Sequence, residues 1–195
     1  AHDLPALLAF LTTLVTTINF VTSVEVNFYP KYRLYFSLLN EGGSLGDINE
    51  AYKVMVSVLK QELFFLAQVQ LFVEVLVIVL AEVIIPPLGL GFKPTMISLF
   101  RVLCMGYGLF AIGNSMMLFL LYFSNYKDAL LTAATLLVVN TLGTLFTITL
   151  PQFYYGFGFV LAGLCMYLVA WERLSSYINH LDYHIYCKQP IFVIE

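Results

Sequence analysis

Two carboxylates, Glu74 and Glu82, sit in the run QLFVEVLVIVLAEVII at positions 70–85, a segment otherwise suited to hydrocarbon. An ionised Glu74 near the bilayer midpoint would cost at least ~2.5–3.5 kcal/mol on insertion scales. Such an acid must stay protonated, pair with a cation or face water. Apart from Arg173, at the very end of an apolar segment, Arg101 is the one basic residue inside one. It lies nearer the outer edge, as does Glu82, so Glu82 and Arg101 match as a buried ion pair. Glu74 is left with three readings: a solvated cavity, a structural hydrogen bond, or proton coupling. An intramembrane acid is by default a functional candidate.

Other polar residues fall into stripes. Gln70 and Glu74 lie ~40° apart on one helix face, and Gln68 and Glu82 widen that polar arc to about 160°. Thr12, Thr16, Asn19 and Ser23 fall within ~60°. Thr132, Asn140, Gly143, Thr144 and Thr147 share an arc of about 120°. Gly106, Gly113, Asn114 and Ser115 follow Arg101 in a third segment. Helix packing accounts for the small and hydroxyl residues, because they hydrogen-bond across helices for ~0.6–2 kcal/mol. A hydrated path accounts better for Glu74. On that reading Asn19, Gln70, Glu74, Asn140 and Thr144 are the substrate-path candidates.

Enzyme chemistry has little support. His180, His184 and Cys187 are metal-binding types, but no further ligand stands at metal spacing, so they read as an interfacial tail and no metal is expected. Cys104 and Cys165 fall in apolar segments and suggest no disulfide framework. The glycines at 89, 91, 106, 108, 156, 158 and 163 form no phosphate loop. Gly158 and Ala162 instead form a small-xxx-small pair suited to close helix packing. No nucleophile pairs with a base, so neither an enzyme nor a cofactor is expected.

The elements that must position these residues follow from composition. The chain has 195 residues, 61% hydrophobic and 11% charged. A soluble domain averages roughly a quarter charged, so this is an all-α integral membrane protein in contact with lipid. The net charge of -3 gives no sign of nucleic acid. A crossing helix needs ~20 apolar residues, and five segments qualify: 6–27, 61–85, 96–123, 129–150 and 155–174. No signal peptide is visible and no Met stands first, which suggests a piece of a longer chain.

Lys31, Arg33, Lys53, Lys60, Lys127, Arg173 and Lys188 fall on one side of the membrane and Lys93 on the other. The positive-inside rule then puts residues 28–60 and the tail 175–195 in the cytoplasm. Tyr29, Tyr32, Tyr35, Tyr122, Tyr126, Trp171 and Tyr177 mark the same interface. Asp47 followed by Glu50 resembles a capping box. With no Gly or Pro from Ile48 to Ile85, a single helix of about 57 Å is expected there, stopped by Pro86-Pro87 and preceded by a turn in NEGGSLGD at 40–47.

The strings FYPKYRLYFSLLNEGGSLGDINEA (28–51), FRVLCMGYG (100–108), LLYFSNYKDAL (120–130), YYGFGF (154–159) and LDYHIYCKQP (181–190) resemble, in order and spacing, the PelG family of exopolysaccharide-export membrane proteins. The likeness covers nearly the whole chain and corresponds to the C-terminal part of that family. It implies a multi-pass protein of the bacterial inner membrane with a cytoplasmic C-terminus. That protein is similar to the multidrug and polysaccharide flippase (MATE/MOP) superfamily, with twelve spans in two bundles around a cavity. The implied substrate is a hexosamine-rich polysaccharide, and the implied partners are other synthesis and export subunits. Two functions follow as expectations: an exporter or flippase-like transporter, or a membrane scaffold that docks a cytoplasmic synthase or regulator.

Overall fold

The computed structural model describes residues 3–85, 94–151 and 154–181. All regular structure among these residues is helical: α1 (Asp3–Leu11), α2 (Thr13–Thr22), a π-helical turn (Ser23–Phe28), α3 (Tyr29–Asn40), α4 (Leu45–Ile84), α5 (Pro94–Tyr122), α6 (Tyr126–Ile148) and α7 (Phe157–Asn179). Five helical runs are long and apolar enough to cross a membrane: Leu4–Asn40, Leu45–Val83, Met96–Tyr122, Tyr126–Ile148 and Phe157–Asn179. Pro86-Pro87, Lys93, His184, Cys187 and most of the terminal motif lie outside the described residues.

The first run does not stop at 27. It passes through two irregularities and continues to Asn40. At Thr12 the backbone N–H turns to the Ala9 carbonyl at 3.2 Å, separating α1 from α2. At the π turn the Tyr29 N–H reaches back five residues to the Val24 carbonyl. The wider turn precedes Pro30, which has no N–H to give. Pro30 stands at the start of α3, and the run continues past it with one fewer backbone hydrogen bond to the preceding turn.

Glycine and a serine close the next turn. Gly42 has φ +77°, and the Gly43 N–H bonds the Leu38 carbonyl at 2.8 Å, a left-handed C-terminal cap. Ser44 then caps α4, accepting from the Asp47 N–H at 3.2 Å and donating to Asp47 Oδ2 at 2.7 Å. The helix therefore starts three residues before the expected Asp47 cap, with Asp47 in the first turn, where its charge favours the helix N-terminus. Leu4–Asn40 and α4 run about 55 and 60 Å at 1.5 Å per residue. Both are longer than a hydrocarbon core of about 30 Å, and α3 packs on the first half of α4 as a helical hairpin.

Two apolar cores lie at opposite ends of the bundle. The larger gathers Phe28, Tyr35, Met55, Leu59, Phe119 and Leu174. Phe28 meets Phe119 edge-on at 5.2 Å, and Tyr32 meets Tyr122 at 4.9 Å. Of the tyrosines expected at an interface, Tyr35 is instead fully buried, while Tyr29 and Tyr126 are exposed. The smaller core holds Ala9, Ala81, Ile85, Phe100 and Cys104.

Helix α7 packs along both α5 and α6. It buries Gly158, Ala162, Met166, Ala170, Leu174 and Ile178, every fourth residue. A methyl on Gly158 would lie 2.7 Å from the Gly143 carbonyl carbon, and one on Gly163 would lie 2.9 Å from the Gly106 carbonyl oxygen. The backbones of α5, α6 and α7 approach this closely only because these positions lack side chains.

Gly158→Ala and Gly143→Ala should each loosen α6 from α7. The overpacking costs ~1–3 kcal/mol, more than the helix propensity gained from alanine. A lowered thermal midpoint of the detergent-solubilised protein would show it. Gly46→Ala, whose added carbon would find its nearest neighbour at 3.7 Å, should leave the midpoint unchanged or raise it. Equal midpoints for Gly158→Ala and the parent protein would refute the close approach.

Candidate functional site

Between the two apolar cores lies a layer of polar side chains. Glu74, on α4, is 4% exposed and Gln70, one turn earlier, is 0% exposed. Gln70 Nε2 donates to Glu74 Oε1 at 2.6 Å, and the Thr12 hydroxyl lies 2.9 Å from the same oxygen. The Thr16 hydroxyl donates to the Gln70 side-chain carbonyl. The chain Thr16–Gln70–Glu74–Thr12 thus ties α4 to both sides of the break between α1 and α2. Thr12 sits on that break, and its hydroxyl is also 2.6 Å from the Ala9 carbonyl that the helix has left under-used.

Helix α5 closes the layer with a glycine. A methyl on Gly108 would lie 2.9 Å from Glu74 Cγ. Glu74 Oε2 is buried and has no hydrogen-bond partner among the described residues. The ion pairs among those residues are Arg101–Glu82 and Arg173–Asp128, so Glu74 has no cation beside it. The carboxyl is thus enclosed between the first helical run, α4 and α5.

The remaining candidates are dispersed. Asn19 is half-buried and donates to the Val15 carbonyl of its own helix at 2.8 Å. Asn140 is half-buried on α6 and makes no hydrogen bond among the described residues. Thr144 is exposed and borders a groove of about 380 Å³ together with Ala6, Leu103, Thr147 and Tyr155. Arg101 Nη2 lies 2.9 Å from Glu82 Oε1, and Arg101 Nε donates to the Ile78 carbonyl at 3.2 Å. Their side chains are 35% and 68% exposed, so this pair is not buried. Arg101 has returned to the protein's surface by bonding along α4.

A second groove, of about 290 Å³, runs between α2 and α5. Its polar lining is Thr13, Thr16, Thr17, Asn114 and Ser115, and Phe10, Phe20 and Phe110 supply rings. Asn114 makes no hydrogen bond among the described residues, while the Thr13, Thr17 and Ser115 hydroxyls donate to backbone carbonyls of their own helices. Sequence reasoning weighted the Thr12–Thr16–Asn19 stripe and passed over the adjacent Thr13–Thr17 pair. The doubled threonines at 12–13 and 16–17 were the signal that the first helical run has two polar faces, one toward α4 and one toward this groove.

Five membrane-length helices with polar groups buried between them define a multi-pass helical membrane protein. Residues 1–186 match the family model PelG, described as putative exopolysaccharide exporter (EPS-E). The chain belongs to that family. The family is one of exporters and not of enzymes, and it implies a polysaccharide substrate in a membrane setting. No curated protein and no solved structure matches the chain.

If the polar chain holds α2 on α4, a double-mutant cycle with Thr16→Val and Gln70→Leu should give a coupling energy of ~0.6–1.7 kcal/mol, the range for interhelical hydrogen bonds in membranes. The same cycle between Asn19→Leu and Gln70→Leu should give none. Reversible unfolding in detergent or bicelles measures both, and equal couplings would contradict the assignment.

Proposed function

We propose that this chain conducts polysaccharide across the bacterial inner membrane as the second helical bundle of a twelve-span, flippase-like exopolysaccharide exporter. The carrying observation is the PelG family match over residues 1–186. Two further features support a conducting role. The helices bury polar groups between them, and two grooves with hydroxyl and amide linings run along α5. The lopsided distribution of lysine and arginine supports a cytoplasmic α3–α4 hairpin and C-terminus.

Within this reading the five candidates divide by position. Thr144 borders a groove and is placed to meet sugar. Asn140 and Asn19 are half-buried and complete no groove of their own. Gln70 and Glu74 act from behind by fixing where α1 and α2 stand. Glu82 and Arg101 tether the outer end of α4 to α5.

The α3–α4 hairpin favours a second role, as a scaffold. Lys31, Arg33 and Lys53 are exposed on it, beside exposed Leu34, Leu45 and Val54. Such a surface suits an acidic and partly apolar partner, such as a cytoplasmic synthase or regulator of the export machinery. The two roles are separable in one molecule.

In the complete exporter, Glu74→Leu should reduce secreted polymer several-fold at unchanged protein level. Export at the parent rate would remove Glu74 from the mechanism. Reversing the hairpin charges with Lys31→Glu, Arg33→Glu and Lys53→Glu should abolish co-purification of a cytoplasmic partner; if the partner stays bound and export fails, the scaffold role is lost. Reporter fusions after His180 should fluoresce with a cytoplasmic fluorescent protein and stay inactive with alkaline phosphatase, and the opposite pattern would invert the topology.

A further inference from the structure

The furrow between α1–α2 and α5 contains chemistry that export as a class does not specify. On one wall Ala6, Phe10, Thr13 and Thr17 follow at intervals of four, three and four residues. On the other, Leu99, Leu103, Phe110, Asn114 and Leu118 of α5 fall within ~100° of one another. The groove of about 290 Å³ takes Phe10, Thr13, Thr17, Phe110, Asn114 and Leu118 from these walls and is the furrow proper. The groove of about 380 Å³ takes Ala6, Leu99 and Leu103 from the same helices, but most of its lining comes from α6, α7 and the residues between them.

At Phe10 and Phe110 of the furrow, four rings gather. Phe10 and Tyr107 are edge-on at 5.8 Å, Tyr107 and Phe159 are 4.7 Å apart, and Phe110 lies 6.5 Å from both Tyr107 and Phe159. No charged side chain lines either groove among the described residues. The Asn114 amide faces the furrow with donors and acceptor unspent. The Thr13 and Thr17 hydroxyls donate to backbone carbonyls and keep lone pairs as acceptors.

From the pairing of unspent amide and hydroxyl groups with a ring cluster in one groove, we infer that this α5 face is a binding track for an uncharged stretch of sugar chain. A sugar ring has hydroxyl and amide edges that seek hydrogen bonds and C–H faces that pack on aromatic rings. The furrow offers both. An ion would find no counter-charge in it. A lipid chain would leave the Asn114 amide unpaired, at the penalty of a buried unsatisfied group. Thr16 lines the track and also donates to Gln70, so Gln70 and Glu74 are positioning residues for its wall.

This inference rests on the export reading, and one experiment separates the two. In the complete exporter, with Cys104, Cys165 and Cys187 replaced by alanine, Asn114→Cys and Thr17→Cys are tested with a water-soluble maleimide. They should label, and labelling should fall several-fold while polymer is being made. Leu142→Cys, at a position 62% exposed on α6 and away from the furrow, should label weakly and ignore synthesis. Asn114→Leu should lower secretion several-fold with protein level and thermal midpoint unchanged. Labelling at Asn114→Cys that ignores synthesis, with parent-level secretion by Asn114→Leu, overturns the track and leaves the export reading standing. Secretion that persists without the exporter overturns both.

Discussion

A polar group placed among apolar helices must find its partner inside the bundle, since hydrocarbon offers none. The chain Thr16–Gln70–Glu74–Thr12 is how this protein meets that demand, and other features depend on it. It joins α4 to the first helical run at the point where that run breaks. Gly108 on α5 completes the enclosure by giving up its side chain. Three helices thus converge on one carboxyl, and the apolar cores on either side seal the layer.

The same economy governs the close contacts of α7. Between helices in lipid there is no hydrophobic gain from association, so packing must come from shape. Gly143 against Gly158 and Gly163 against Gly106 supply that shape. Helix α6 buries little else and presents Leu130, Leu137, Leu142 and Phe146 outward. Toward the α3 end of the bundle packing changes character, and α3, α4, α5 and α7 share the aromatic cluster around Phe28 and Phe119.

Much of this architecture is legible in the residues. Five apolar segments of crossing length correspond to five helical runs. An unbroken helix expected from Ile48 is found as Leu45–Ile84, and the Gln70–Glu74 spacing does put both side chains on one face. The end of the first run was not legible. FYPKYRLYF carries charge and a proline, which together suggest a loop, yet a π turn absorbs Pro30 and the helix continues. The α4 cap was misplaced for a similar local reason: Ser44 and Asp47 form the box, and Gly46 in the first turn does not prevent it. Among the site residues, Thr12 reaches Glu74 and Thr16 reaches Gln70, whereas Asn19 of the same stripe bonds its own helix. An angular stripe assigns a face but not a partner, because a side-chain amide can be satisfied by its own backbone one turn back.

An acid inside an oily helix invites the view that it lines a channel. The geometry separates two settings for the polar side chains. Glu74 and Gln70 are enclosed and bond across helices, with Glu74 Oε2 left unpaired among the described residues. Asn114 and Thr144 stand at grooves with their hydrogen bonds unspent. This division suits the proposed passage of a long, uncharged chain. A carboxylate in the path would attract cations and water, and each sugar unit would have to displace them. Set one layer back, the carboxyl can hold the wall's register through Thr12 and Thr16 while the wall itself stays neutral. A neutral wall of hydroxyls, amides and rings offers many contacts of similar strength, and successive sugar units can then exchange along it without a deep binding minimum at any one.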